Sequence, residues 1–276
     1  MDNVNAIAGV VTFNPSLERL KECMEAIFKQ IDEICVVDNG SVNEGQIEEL
    51  LNSFSKRVTL IKNIENKGIA TALAQIMNYA EDHNYSWVLT MDQDSILQPN
   101  ILRKYIEGVN HVRDAGMFTC LINDRNFADE KYEKQIERYK EVRYCITSAA
   151  FTSVEAYRKT SGYDKSFFID CVDFDICYSL REKGYRIIRV NDVGILHEVG
   201  HGENRRFLWK KIVVYHEKPQ RIYYLARNTK RLYKKHAEYG LLRLIKKELA
   251  LFTRIVLYED NKKIKLNSFF KGLKEA

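Results

Sequence analysis

Short apolar runs alternate along the chain with stretches whose apolar positions recur at helical spacing. Residues 6–13 (AIAGVVTF) read as a buried strand ending at Asn14-Pro15, which predicts an N-cap followed by proline in the first helical turn. Leu17, Leu20, Met24, Ile27 and Phe28 then fall on one helical face. Residues 34–37 (ICVV) form a second strand, stopped at Asp38-Asn39-Gly40-Ser41. A helix over 47–54 and a third strand over 58–61 follow. Asn66-Lys67-Gly68 then turns into a helix over 69–82, and a fourth strand, 87–91, ends on Asp92-Gln93-Asp94-Ser95. Further on, a helix over 176–183 closed by Gly184 precedes a strand over 185–190. This alternation predicts an α/β fold with a mostly parallel sheet covered on both faces.

Polar groups recur where these strands end: Thr12 and Asn14, Asp38 and Asn39, Asn66 to Gly68, Asp92 and Asp94. In open α/β sheets ligands bind at that edge. Each cluster alone is also ordinary turn chemistry; four in register point to a site. Neither a G-x-G-x-x-G nor a P-loop pattern occurs, which disfavours a dinucleotide or P-loop fold.

With 276 residues, 45% of them hydrophobic, the chain can bury a core without staples. Six scattered cysteines lack a C-x-x-C pair and read as reduced core residues. The net charge of +5 divides unevenly. Residues 201–276 hold 20 Lys+Arg against 7 Asp+Glu, a net of +13, which leaves −8 for residues 1–200. A basic tail on an acidic body calls for an anionic partner. No transmembrane helix and no signal peptide are expected, which predicts a cytoplasmic protein.

Two acidic clusters carry candidate chemistry. Asp92 and Asp94 at a strand end repel one another unless a proton or cation intervenes, and a magnesium- or manganese-type ion would relieve this and bridge to a diphosphate. Strand alternation predicts that Gln93 turns the other way. The second cluster, Asp170, Asp173 and Asp175, lies in the aromatic stretch FFIDCVDFD, where a partly desolvated carboxylate could accept a proton. An acid satisfying a helix N-terminus is the alternative. His197 in HEVGH, near a strand end, could be a neutral metal ligand.

The order VVTFNPS, VVDNGS, NKGIATAL, LTMDQDS, FFIDCVDFDICYSLREKGYRI, HEVG and YYLARN resembles the inverting family 2 glycosyltransferases of GT-A fold. Within them it is similar to the bacterial rhamnosyltransferase branch. The resemblance spans residues 4–230 and implies a GT-A catalytic domain over 1–230, with a basic amphipathic helical segment over 231–276. It implies that Thr12, Asn14, Asp38 and Asn39 hold the nucleotide base and ribose and that Asn66, Lys67 and Gly68 close that pocket. Asp94 would contact a metal, Mg2+ or Mn2+, on the donor diphosphate. Asp92 would contact the ribose or stand behind the metal, and His197 would approach the metal or the diphosphate. Asp173 would be the general base. The family's Glu-Asp-x-Asp motif has Val172 in place of its glutamate, and Asp170 is the obvious substitute.

The implied donor is dTDP-L-rhamnose, with a UDP-hexose or UDP-galactofuranose as the alternative. The implied acceptor is a lipid-linked glycan of cell-surface polysaccharide. Basic and apolar positions over 227–256 form an amphipathic helical pattern suited to an anionic membrane at the inner face of the cell membrane. Packing on its own domain, or on a second subunit to give a homodimer, is the alternative. A haloacid dehalogenase-type phosphatase wants its D-x-D near the first strand. A sugar nucleotidyltransferase wants a glycine-rich loop after that strand, and a nucleic-acid-binding module has only the basic tail in its favour, so no nucleic-acid partner is expected.

Overall fold

A computed structural model describes residues 4–125, 137–198, 203–207 and 210–276. The sheet begins with β1 (Ala6–Thr12), β2 (Glu33–Asp38), β3 (Arg57–Lys62) and β4 (Trp87–Asp92), all parallel in the order β3-β2-β1-β4. It continues through β8 (Ala150–Ser153), β6 (Ala115–Asp124), β9 (Arg186–His197) and the two-residue β5 (Ile96–Leu97), with β7 (Tyr139–Val142) also on β9. β8 runs antiparallel between β4 and β6, so the sheet is mixed beyond its parallel half. β10 (Glu203–Phe207) and β11 (Lys210–Val214) form a separate hairpin.

Alternation along β1 explains the two cores. Ile7 and Val11 face one cluster, beneath α3 (Ile69–Asp82), α5 (Val154–Arg158) and α6 (Val172–Glu182). Ala8 and Val10 face the other, beneath α1 (Leu17–Phe28), α2 (Glu44–Asn52) and α4 (Ile101–His111). Gly9 shares the first face, where an added Cβ would lie 2.3 Å from Ile76 Cγ2, so α3 packs directly on the β1 backbone. Trp87 stacks on Phe151 at 4.9 Å across the β4–β8 pairing.

The first helix starts later than expected. Ser16, not Asn14, is the N-cap, because the Asn14 side chain accepts the Val42 amide at 2.9 Å and its own amide donates to Ser41 at 2.8 Å. The strand expected over 185–190 runs on to His197, because it pairs with β6, β7 and β5 in turn.

The basic C-terminal stretch is three helices: α7 (Pro219–Lys235), α8 (Leu241–Tyr258) and α9 (Lys262–Lys274). They share a small core of Ile222, Ala226, Leu251, Ile255 and Phe269. The division drawn at residue 230 falls inside α7, whose last turn is tied to the sheet domain. Lys235 pairs with Asp164 and Asp175, and His236 lies between Asp175 and Glu182 at 2.8 and 2.7 Å. Further cations of α7 are engaged by backbone carbonyls: Arg227 and Arg231 donate to Ser166 O, Lys230 to Leu273 O and Lys234 to Ala276 O. No helix among the described residues is long and apolar enough to cross a membrane.

Candidate active site

The carboxyl ends of β1, β2 and β4 open on a cleft of about 490 Å³. The expected residues divide between its lining and its foundation. Asn39, Asn66, Gly68, Asp92, Asp94 and His197 line it. Thr12 and Asp38 are fully buried and turned on each other: Thr12 Oγ1 donates to Asp38 Oδ1 at 2.9 Å, and Asp38 also accepts from the Ser41 amide and hydroxyl. Asn14 braces the turn after β2, and the Lys67 side chain is exposed outside the lining.

Asn39 and Asn66 support one another. Asn39 Nδ2 donates to Asn66 Oδ1 at 3.0 Å, Asn39 Oδ1 accepts the Lys67 amide at 3.1 Å, and Asn66 Oδ1 also accepts the Gly68 amide at 2.9 Å. Gly68 has φ +83°, and an added Cβ would lie 2.5 Å from Phe168 O. Only glycine lets α3 start this close to the loop before α6, where the Ile69 amide donates to Phe168 O at 2.7 Å.

Gln93 departs from the alternation expected of it. The chain turns after Asp92, with the Ser95 amide donating to Asp92 O at 3.2 Å, so Asp92, Gln93 and Asp94 all line the cleft. Gln93 accepts the Phe13 amide at 2.8 Å and donates to Phe13 O at 3.3 Å.

Pairing of Ile96 with Leu196 brings Ser95 beside His197, and Ser95 Oγ meets His197 Nδ1 at 2.8 Å. With the proton on Nδ1, the Nε2 lone pair is left for a cation. His197 Nδ1 lies 3.8 Å from Asp92 Oδ2. Burial raises the Asp92 carboxyl, His197 opposes this and Asp94 adds to it. Two carboxylates and an imidazole, one acid held in a setting that disfavours its charge, suit a divalent ion of the manganese type, which takes oxygen donors and accepts an imidazole. Val199, Gly200 and His201 of the histidine motif lie outside the described residues.

A closer-spaced set among the described residues, His216, Glu259 and Asp260, lies between β11 and α9 rather than in the cleft. There the buried Lys265 ammonium sits on both carboxylates and supplies the positive charge.

On the opposite wall, Phe168, Asp170 and Cys171 all have positive φ, a strained turn for residues with side chains. The fully buried Asn228 of α7 holds it, donating to the carbonyls of Phe167, Ile169 and Asp170 at 2.7, 2.6 and 3.1 Å. Tyr224 stacks on Phe168 at 5.2 Å. Arg221, also of α7, reaches the cleft and donates to Asp170 Oδ1 at 3.2 Å, while Asp170 Oδ2 is buried with no hydrogen-bond partner among the described residues. The YYLARN motif thus acts as a clamp on the turn, and Arg221 was invisible to motif reading because it precedes that motif.

Asp173 lies in the first turn of α6, next to this strained turn. Burial pushes its carboxyl up to about 7; the Phe174 amide opposes this at 2.9 Å, and the charges of Asp170 and Asp92 add to it. Such a carboxyl exchanges its proton near neutrality, as a general base must. Asp175, two residues on, faces Lys235 and His236 instead.

Known proteins are similar to this chain in sequence and in fold. The family model described as glycosyl transferase family 2 matches residues 8–161. The chain is 24% identical over 247 residues to the dTDP-rhamnosyl transferase RfbF of Shigella flexneri, covering 85% of this chain and 81% of that one. It is 25% identical over 201 residues to an uncharacterized glycosyltransferase of Haemophilus influenzae, covering 66% and 71%. The fold is similar to that of the Pyrobaculum calidifontis mannosyltransferase PcManGT in complex with GDP-Man and Mn2+ (TM-score 0.64, 17% identity, 98% and 74% covered). It is also similar to that of S. aureus TarS in complex with UDP (TM-score 0.57, 14% identity, 98% and 70% covered).

Proposed function

Because the chain belongs to glycosyl transferase family 2, we propose that this glycosyltransferase is metal-dependent and inverting, and moves L-rhamnose from dTDP-L-rhamnose to a hydroxyl of a lipid-linked glycan in cell-surface polysaccharide synthesis. The observation that carries the reading is one cleft with Asp92, Asp94 and His197 on one wall and, on the other, the turn that leads into Asp173, a carboxyl poised near pH 7. The rhamnosyl donor is supported by the similarity to the Shigella enzyme, and the metal by the donor set of the cleft.

Asp173 would take the proton of the acceptor hydroxyl as that oxygen attacks the anomeric carbon from the face opposite the leaving diphosphate. Asp170, held by Arg221, would act on Asp173 through its charge. Asn39 and Asn66 would border the nucleoside, with Thr12 and Asp38 as the buried frame beneath and Asn14, Lys67 and Gly68 shaping its turns. Asp94 and His197 would hold the cation, with Asp92 beside them; a divalent ion there supplies Lewis-acid stabilisation to the charge left on the diphosphate.

Work at the inner membrane face is supported by α8. Leu241, Leu242, Ile245, Leu249 and Val256 are all exposed on one side of this helix, with Lys246 at the edge of the stripe. Flotation of the full chain with anionic vesicles should be lost on Leu242→Glu with Leu249→Glu; unchanged flotation removes the membrane part.

The test of the reaction is donor hydrolysis and transfer across a panel of nucleotide sugars with Mg2+ or Mn2+. Consumption of dTDP-L-rhamnose, stopped by excess chelator, is expected. Preference for a UDP-sugar overturns the donor, and full activity in chelator overturns the metal. Asp173→Asn should lower the transfer rate by about 10²- to 10⁴-fold, the usual contribution of a positioned base; near wild-type single-turnover transfer would remove Asp173 from that role.

A further inference from the structure

The segment 168–174 stands between two cavities. Phe168 and Ile169 line the cleft, whereas Cys171 and Phe174 line a smaller cavity of about 180 Å³ that also touches α7 and α8. Its walls are aromatic: Tyr144 meets Phe174 edge-on at 4.9 Å, and Tyr178 and Tyr239 close the far side. In sequence Asp173 lies between two of the lining residues, Cys171 at the N-cap of α6 and Phe174.

Three cations of α8 enter this cavity: Arg243, Lys247 and Arg254, spaced i, i+4 and i+11 on one helical face. Arg243 is anchored by its hydrogen bond to the Tyr178 hydroxyl and lies 5.7 Å from the rings of Tyr144 and Tyr239. Among the described residues none of the three forms an ion pair, in contrast to Lys235 and Arg221 of α7. Positive side chains gathered on one helical face repel one another and create a potential that attracts an anion, with the Glu217 carboxylate offsetting part of the charge of Arg254 alone.

Lys247 and Arg254 also border a third cavity, of about 570 Å³, which runs along α8 past Leu249, Ala250 and Thr253. Leu249 belongs to the exposed apolar stripe of the same helix. From the base outward the order is therefore an aromatic pocket, a pair of cations, and an apolar groove open to the exposed face. A molecule that carries sugar, phosphate and hydrocarbon in that order matches all three.

We infer that the acceptor's phosphate is bound between Lys247 and Arg254, with its hydrocarbon in the groove along α8 and its sugar against Tyr144 and Phe174 beside Asp173. Aromatic faces suit the apolar face of a sugar ring, and charge-assisted hydrogen bonds suit the phosphate. The placement of the sugar rests on the glycosyl-transfer reading; the site for a lipid phosphate does not.

The test is calorimetric titration of the full chain with decyl phosphate below its micelle concentration, with decanol and inorganic phosphate as separate arms. Decyl phosphate should bind at least about tenfold more tightly than either, and Lys247→Gln with Arg254→Gln should weaken it by roughly tenfold or more. Lys262→Gln with Lys263→Gln, the same loss of charge on exposed residues of α9, should leave it unchanged. Lys247→Gln alone, at an exposed side chain, gives the same reading if the double variant melts early. Undiminished binding in both variants overturns the inference, as does decanol binding equal to decyl phosphate. Equal affinity for inorganic phosphate identifies a soluble-anion site and overturns the lipid. Donor hydrolysis by the unsubstituted chain needs no acceptor, so its absence counts against glycosyl transfer and leaves the phosphate result standing.

Discussion

Arg221 of α7, which lines the cleft together with Asp92 and Asp94, holds the Asp170 carboxylate behind it at 3.2 Å. The contact joins residues 51 positions apart and makes the C-terminal helices part of the candidate site. Burial alone raises the Asp170 carboxyl, and Arg221 opposes that rise.

The charge of Asp170 in turn raises Asp173, beneath the larger contribution of burial. A base acts only when ionised, so activity should climb with pH through about 7. Asp170→Asn removes a charge that opposes ionisation, and the acid limb of kcat/KM against pH should move to lower pH. A limb that stays in place or moves upward would show that Asp170 does not act on the base.

Gly68→Ala forces a Cβ toward Phe168 O at a positive φ. The cost should be about 1–3 kcal/mol, read as a lower melting temperature, because the clashing atoms are backbone and cannot swing aside. The displaced turn carries Asp170, so kcat should fall along with stability. An unchanged melting temperature would mean that the loop before α6 yields easily.

Asn228→Leu removes one donor from three carbonyls in a buried, strained turn. Orphaned buried acceptors cost about 1–3 kcal/mol. Asn228→Gln, which keeps the amide but lengthens the arm, should recover part of the stability and less of the kcat. Equal kcat in all three proteins would reduce Asn228 to a packing residue.

His236 couples stability to pH. Burial opposes its protonation, but the hydrogen bonds to Asp175 and Glu182 outweigh it and raise its pKa above the ordinary histidine value. A group with a raised folded pKa contributes stability that is full below the unfolded value and lost as pH rises through the folded one. Melting temperature should therefore decline above about pH 6.5, and His236→Gln should flatten that decline. A wild-type melting curve with no slope in that window contradicts a charged His236.

The local pattern carried much of this legibly. Strands β1 to β4 and the polar turns after them follow from runs such as AIAGVVT and WVLTM that end in asparagine, aspartate or glycine. Asn39, Asn66, Asp92 and Asp94 came to one cleft because parallel strands present equivalent ends on one edge. Thr12 and Asp38 looked equally available, yet each occupies the other's hydrogen-bonding capacity, which depends on the β1–β2 register. Gln93 was placed by strand periodicity, which stops applying once the chain turns at Asp92.

By itself, then, the sequence determined the α/β alternation, the carboxylate-bearing strand ends, the acid-rich start of α6 and the basic tail, because each rests on residues adjacent in the chain or one helical turn apart. Only the tertiary structure decided what those groups are to one another. It set Ser95 beside His197 and Arg221 against Asp170, and it buried Asp173 until its carboxyl titrates near 7. Contacts across 51 to 102 positions, and the loss of water that shifts a pKa, follow from packing distant segments together, and no local periodicity encodes which segments meet.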